Sequence, residues 1–143
     1  MSKSDVDEIR AVIQAIYAAI SGPAGERDWK AHSRHFAPGA RSYVLHRGEK
    51  GDELKAYSQD EYEKSRASFF RTHDFWEVET RCEVRLDGPL AVASSYYDSF
   101  WDRSKPPFES GLNTIQLVKL SGEWKIASIM WEARHAARIV AQA

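Results

Sequence analysis

Two polar residues stand out in the second half of the chain because their neighbours are apolar. Asn113 lies in GLNTIQLVKL (111–120) and Glu132 near the end of EWKIASIMWEA (123–133). A carboxyl drawn into an apolar interior is costly unless it is paired or protonated, and the raised pKa that results suits general acid–base work. The bland alternative for Glu132 is a strand end in solvent, beside Arg134 or Arg41. His73, in Thr72-His73-Asp74, is a second acid–base candidate; the alternative is a loop histidine in water. His32 and His35 stand three apart, a spacing that metal sites use, but a third ligand is wanting: Asp28 is the nearby carboxylate and there is no HExxH. We read His32 as packing beside Phe36, and expect no metal. Cys82 is the only cysteine, which excludes an internal disulfide and a cysteine-based zinc site. With no histidine beside it in register it reads as a small buried hydrophobe rather than a nucleophile. No glycine-rich phosphate loop and no redox motif is present, so no cofactor is expected.

The elements that position these residues follow from periodicity. Apolar residues recur at helical spacing over 5–20 (Val6, Ile9, Ile13, Ile16, Tyr17, Ile20), after Ser4 as N-cap. A second helix is predicted over 26–37 and a first strand over 41–47, with Tyr43 and Leu45 sharing a face. The polar stretch 48–57 reads as a loop. Ser58 and Glu61 form a capping-box pattern that opens a third helix. Four strands follow, over 75–86, 90–101, 111–120 and 123–133, and the tail 134–143 reads as a short helix. Helices first and strands after is the signature of an α+β fold.

The 143 residues make one domain, 1–143. Their 43% hydrophobic and 29% charged content excludes wholesale disorder. Lys and Arg number 20 against 21 Asp and Glu, so the chain lacks the positive field of a nucleic-acid binder. No apolar run reaches the ~18 residues that span a membrane, and the first residues lack a signal-peptide core. No nucleic-acid or membrane partner is expected, and the expected location is the cytoplasm. Aromatic residues are abundant at 12%, which suits either a bulky core or a ring-lined pocket.

Register assigns faces. A two-residue turn at Asp87-Gly88 sets Val78 against Tyr97 and Trp76 against Ser99 on the apolar face, with Glu77 and Asp98 outside. A three-residue turn inverts the return strand and brings Tyr96 and Asp98 inward. A turn at Ser121-Gly122 sets Leu120 against Glu123 and Asn113 against Met130, with Glu132 on the same face. The other face then carries Leu112, Thr114, Val118, Ile129 and Trp131, and no helix remains to cover it. A homodimer through this open sheet face is the expected cover.

The helix at 10–19, FAPGARSYV at 36–44, Leu90-Ala91-Val92 after Asp87-Gly88, and SGEWKI at 121–126 together resemble the nuclear transport factor 2-like superfamily, closest to its SnoaL-like members. The resemblance spans nearly the whole chain. It implies a cystatin-like cone: three N-terminal helices packed in a curved, mostly antiparallel sheet with a pocket inside. It implies a small, largely apolar or aromatic ligand, and isomerase, dehydratase or cyclase chemistry by general acid and base. The alternative is a non-catalytic dimerisation or interaction module whose cone is filled by side chains. Residues Tyr17, Tyr43, Trp76, Tyr97, Asn113, Met130 and Glu132 are the expected ligand contacts. His73 matches a histidine after the third helix in the scytalone dehydratase branch. The carboxylate base that ketosteroid isomerase-like members carry on the strand after the second helix has no counterpart in Arg41–Leu45.

Overall fold

Helix α1 (Asp5–Ile20) lays its apolar stripe, Ile9, Ile13, Ile16, Tyr17 and Ile20, against the inside of a six-stranded sheet. The computed structural model describes residues 4–134. Ser4 accepts a hydrogen bond from the Asp7 amide and caps α1, as its side chain and position require. Helix α2 (Trp29–Ser33) is a single turn or so, shorter than the spacing predicts, because the chain enters strand β1 (Phe36–Gly48) directly after it. The stretch read as a polar loop is instead an edge strand, β2 (Gly51–Ser58), paired to β1 through a tight turn closed by Gly48 and Gly51. Its exposed polar side chains are those of a wet sheet edge, which periodicity does not separate from a loop. Helix α3 (Gln59–Thr72) begins with the full capping box, Ser58 to Glu61 and back.

Strands β3 (Trp76–Asp87), β4 (Leu90–Phe100), β5 (Glu109–Leu120) and β6 (Glu123–Glu132) form an antiparallel meander. The sheet order is β2-β1-β6-β5-β4-β3, and only the β1–β6 pairing is parallel. This is a mixed α+β fold with a mostly antiparallel sheet, as expected. No helix among the described residues is long and apolar enough to cross a membrane. The helix expected over 134–143 lies outside the described residues, apart from Arg134.

Two bulges redirect the side chains that matter. The β3–β4 turn is Gly88-Pro89, with Asp87 paired to Leu90. That slides the expected register by two residues and leaves faces unchanged as far as Cys82. Between Arg81 and Glu79 the pairing shifts by one. Beyond that point Glu77 and Glu79 oppose Ser99 and Tyr97 on the inner face, while Trp76 and Val78 turn outward. Likewise β5 and β6 pair as expected from Leu120–Glu123 to Leu117–Ile126, then shift before Gln116–Ser128. Ile115 therefore meets Ile129, and Thr114 meets Met130. An extra residue in one strand inverts every face downstream of it.

Candidate active site

Between α1, α3 and the inner face of the sheet lies a cavity with an empty volume of about 940 Å³, open mouth included. Its apolar wall is built by Ile16 and Ile20 of α1, Phe69 and Phe70 of α3, and Ile129 and Trp131 of β6. Its polar residues come mainly from β3, β4 and β5, joined by Arg66 from α3 and His32 from α2. The sheet register arranges them in rows. Glu77, Ser99 and Glu109 lie side by side across β3, β4 and β5, and Glu79, Tyr97 and Gly111 form the next row. Then come Cys82, Ser95 and Asn113. Residues two strands apart in a row have Cα atoms about 10 Å apart, so long side chains from Glu77 and Glu109 point into one space.

Burial pushes the Glu77 carboxyl up to about 8, with the negative charge of Glu109 adding to the shift and Arg66 opposing it. No hydrogen bond reaches this carboxyl among the described residues. At neutral pH Glu77 therefore holds a proton, beside a charged carboxylate in the same row. A carboxyl that keeps its proton beside a second carboxyl supplies an acid and a base in one site. Glu109 is itself 9% exposed and accepts the Arg134 backbone N–H at 3.2 Å.

The phenols are kept neutral by the same surroundings: burial raises the pKa of Tyr17 and Tyr97 well above the usual range, and that of Tyr62 to about 12. Tyr97 lies over Gly111, where any side chain would collide with its ring and hydroxyl. A glycine is required there so that the ring can cross the neighbouring strand. His32 is 3% exposed and stacks on Tyr62 with ring centroids 5.6 Å apart; burial lowers its pKa to about 4. The Gln59 amide donates to its Nδ1 at 2.7 Å, consistent with a neutral ring. His46 also faces the cavity, and its buried Nε2 has no partner among the described residues.

Of the residues expected in the pocket, Tyr17, Tyr97 and Asn113 line the cavity together. Four do not. Tyr43 is on the outer face, because the inward set on β1 is Ala40, Ser42 and Val44. Trp76 is turned out by the β3 bulge. Met130 is 42% exposed, and Glu132 forms an ion pair with Arg47 at 2.9 Å; both are turned out by the β6 bulge. His73 caps the end of α3, bonded to the Phe69 carbonyl at 2.9 Å and stacked on the Phe69 ring, and does not line the cavity. The β6 bulge also splits the expected dimer face: Leu112, Thr114 and Val118 stay outward, while Ile129 and Trp131 line the cavity. No cluster of three or more possible metal ligands exists among the described residues. The sequence reading missed Glu77, Glu109, Arg66 and His46. An alternating strand such as WEVETRCEVRL carries no mark of a bulge, so its glutamates read as solvent-facing.

A structure from Nostoc punctiforme, of unknown function with a cystatin-like fold, superimposes at a TM-score of 0.69 over 95% of this chain and 97% of its own, at 14% identity. A nuclear transport factor 2-like protein of Novosphingobium aromaticivorans, also with a cystatin-like fold, matches at 0.69 over 97% and 90% of the two chains, at 17% identity. The fold is nuclear transport factor 2-like. A Streptomyces avermitilis member, described provisionally as a dehydratase, matches at 0.65 over 90% and 94% of the chains, at 17% identity. At such identities the likeness is one of fold. No family model and no curated protein matches the sequence. Within the nuclear transport factor 2-like cone of this chain, the inner-face glutamates of β3 and β5 and the α3 arginine distinguish the cavity from a plain ring-filled core.

Proposed function

We propose that this protein is an acid–base enzyme acting on a small, flat, largely apolar molecule held in the cone, as an isomerase, dehydratase or cyclase. The observation that carries the reading is the row Glu77–Ser99–Glu109, in which one carboxyl keeps its proton to about pH 8 beside a charged partner. In this reading Glu77 donates a proton to an oxygen on the ligand and Glu109 withdraws one from carbon, while Phe69, Phe70 and Trp131 hold the ring. Arg66 balances the negative charge that develops. General acid–base assistance of this kind is worth about 10²–10⁴-fold. The provisional dehydratase description of the Streptomyces avermitilis protein belongs to the same class of chemistry. Against the alternative of a side-chain-filled interaction module stands the open volume with His46 Nε2, which has no partner among the described residues, on its wall.

The test uses 2-tetralone, a flat bicyclic ketone with acidic C–H bonds, incubated in D₂O and followed by proton NMR. The expected result is deuterium uptake catalysed by the protein and reduced at least a hundredfold by Glu77→Gln and by Glu109→Gln. Uptake at the buffer rate, or uptake indifferent to both substitutions, contradicts the proposal.

We propose a homodimer as well, through the outer sheet face. Its support is the run of outward apolar residues, now Leu112 and Val118 with Leu90, Val92 and Met130, of which the last three are 53%, 43% and 42% exposed.

A further inference from the structure

Five polar side chains run in a line from the cavity to the surface. Asn113 Nδ2 donates to Tyr17 Oη at 2.9 Å, Tyr17 Oη contacts Ser95 Oγ at 2.7 Å, and Ser95 Oγ donates to Glu79 Oε2. At the outer end, Gln14 on the exposed side of α1 donates to Glu79 Oε1 at 2.7 Å. Ser95 is fully buried and Tyr17 is 3% exposed.

The direction of this row is fixed by its outer end. Glu79 Oε2 accepts from Ser95 Oγ, so the single Ser95 proton is committed to Glu79. Ser95 can then only accept from Tyr17, which commits the Tyr17 proton in turn. Tyr17 can only accept from Asn113, so the Asn113 amide must present its NH₂ to Tyr17 and keep its carbonyl oxygen for another donor. At the inner end two acceptors are left over: the remaining lone pair of Tyr17 Oη and Oδ1 of Asn113, for which no partner exists among the described residues. Both residues line the cavity.

We infer that the Asn113–Tyr17 corner of the cavity is a subsite for a hydrogen-bond donor, a hydroxyl or N–H on the ligand, and that Glu79, outside the cavity, sets this preference through Ser95. The inference deepens the acid–base reading, since it rests on the cavity holding a small ring molecule. It assigns the ligand a second polar group, distinct from the oxygen addressed by Glu77. Glu79 and Ser95 touch no ligand in this arrangement; they are positioning residues, and their effect is on which partner the corner accepts.

The test compares two probes of nearly equal shape, 2-naphthol, which can donate, and 2-methoxynaphthalene, which cannot. Affinities are measured by calorimetry on the wild-type protein and on Ser95→Ala and Glu79→Met. The measured quantity is the ratio of the two affinities within each protein, which a general loss of packing leaves unchanged. One hydrogen bond of ordinary strength is worth about fivefold to tenfold, so the ratio is expected to favour 2-naphthol by that factor in the wild type. In Ser95→Ala the Tyr17 proton is released to the cavity; in Glu79→Met the Ser95 proton turns to Tyr17, whose own proton is then released to the cavity; in both the ratio is expected to fall at least fivefold. An unchanged ratio in both variants overturns the inference. Failure of both probes to bind contradicts the wider reading of the cavity. The direction of the row is then read separately by neutron diffraction from a deuterium-exchanged crystal. Deuterons on the Tyr17–Ser95 line bonded to Tyr17, and on the Ser95–Glu79 line bonded to Ser95, support the inference. The opposite order overturns it.

Discussion

Replacing Glu77 by Gln should raise the stability of this protein in alkaline solution and leave it nearly unchanged in acid. Glutamine has the shape of a protonated glutamate, so the substitution fixes the side chain in the state that the cavity prefers. The pH dependence follows from linkage. Below pH 4.5, the ordinary value, Glu77 is protonated in both folded and unfolded chains and contributes no slope. Between there and about pH 8 the unfolded chain has released its proton while the folded chain keeps it, so stability falls as pH rises. Above that window both states are ionised and the cost is constant. A rise from 4.5 to about 8 corresponds to about 5 kcal/mol at about 1.4 kcal/mol per unit. Relaxation and water entry lower what is realised, and we expect about 2–4 kcal/mol. Urea unfolding at pH 5, 7 and 9 measures it. The wild type should lose stability across this range relative to Glu77→Gln, and the difference between the two proteins cancels other groups that titrate. Parallel pH profiles, or a glutamine variant less stable at pH 9, would refute the reasoning.

Three further outcomes are expected. Gly111→Ala drives a methyl group into the Tyr97 ring and should cost about 1–3 kcal/mol, read as a lowered urea midpoint. His32 has a folded pKa lowered from 6.5 to about 4, so its stability contribution is present above pH 6.5 and is lost as pH falls toward 4, by up to about 3 kcal/mol; in His32→Gln this part of the acid sensitivity should be absent. Light scattering at micromolar concentration should give twice the 16.3 kDa chain mass, and Val92→Lys with Met130→Lys should return the monomer; a wild-type monomer contradicts the dimer.

The parts of the fold that were legible in the sequence are those set by local periodicity. The apolar stripe of α1 places both ends of that helix, and the Ser58–Glu61 capping box places the start of α3, within a residue of the observed bounds. Alternation likewise marks the four long strands. The edge strand β2 was not legible because it is exposed along most of its length and so shows no alternation of buried and exposed residues. The site was legible only on β4 and β5 and on α1, where no bulge intervenes between the turn and the residue of interest: Tyr17, Tyr97 and Asn113 fall where expected. It failed on β3 and β6, where one extra residue exchanges Trp76 for Glu77 and Met130 for Ile129. The β6 shift did leave a trace. Buried Trp124, Ile126 and Ile129 are spaced by two and then three, and an alternating strand cannot keep all of them on one side without a bulge. The β3 shift left none, since Glu alternates with apolar residues on either side of it.

The central claim is that the cone holds a carboxyl protonated at neutral pH. A carbon-13 NMR titration of the Glu77 side-chain carboxyl, assigned by its disappearance in Glu77→Gln, tests it without any ligand. The account predicts a midpoint near 8. A midpoint near 4.5 would mean an ionised Glu77 at neutral pH, and would contradict it.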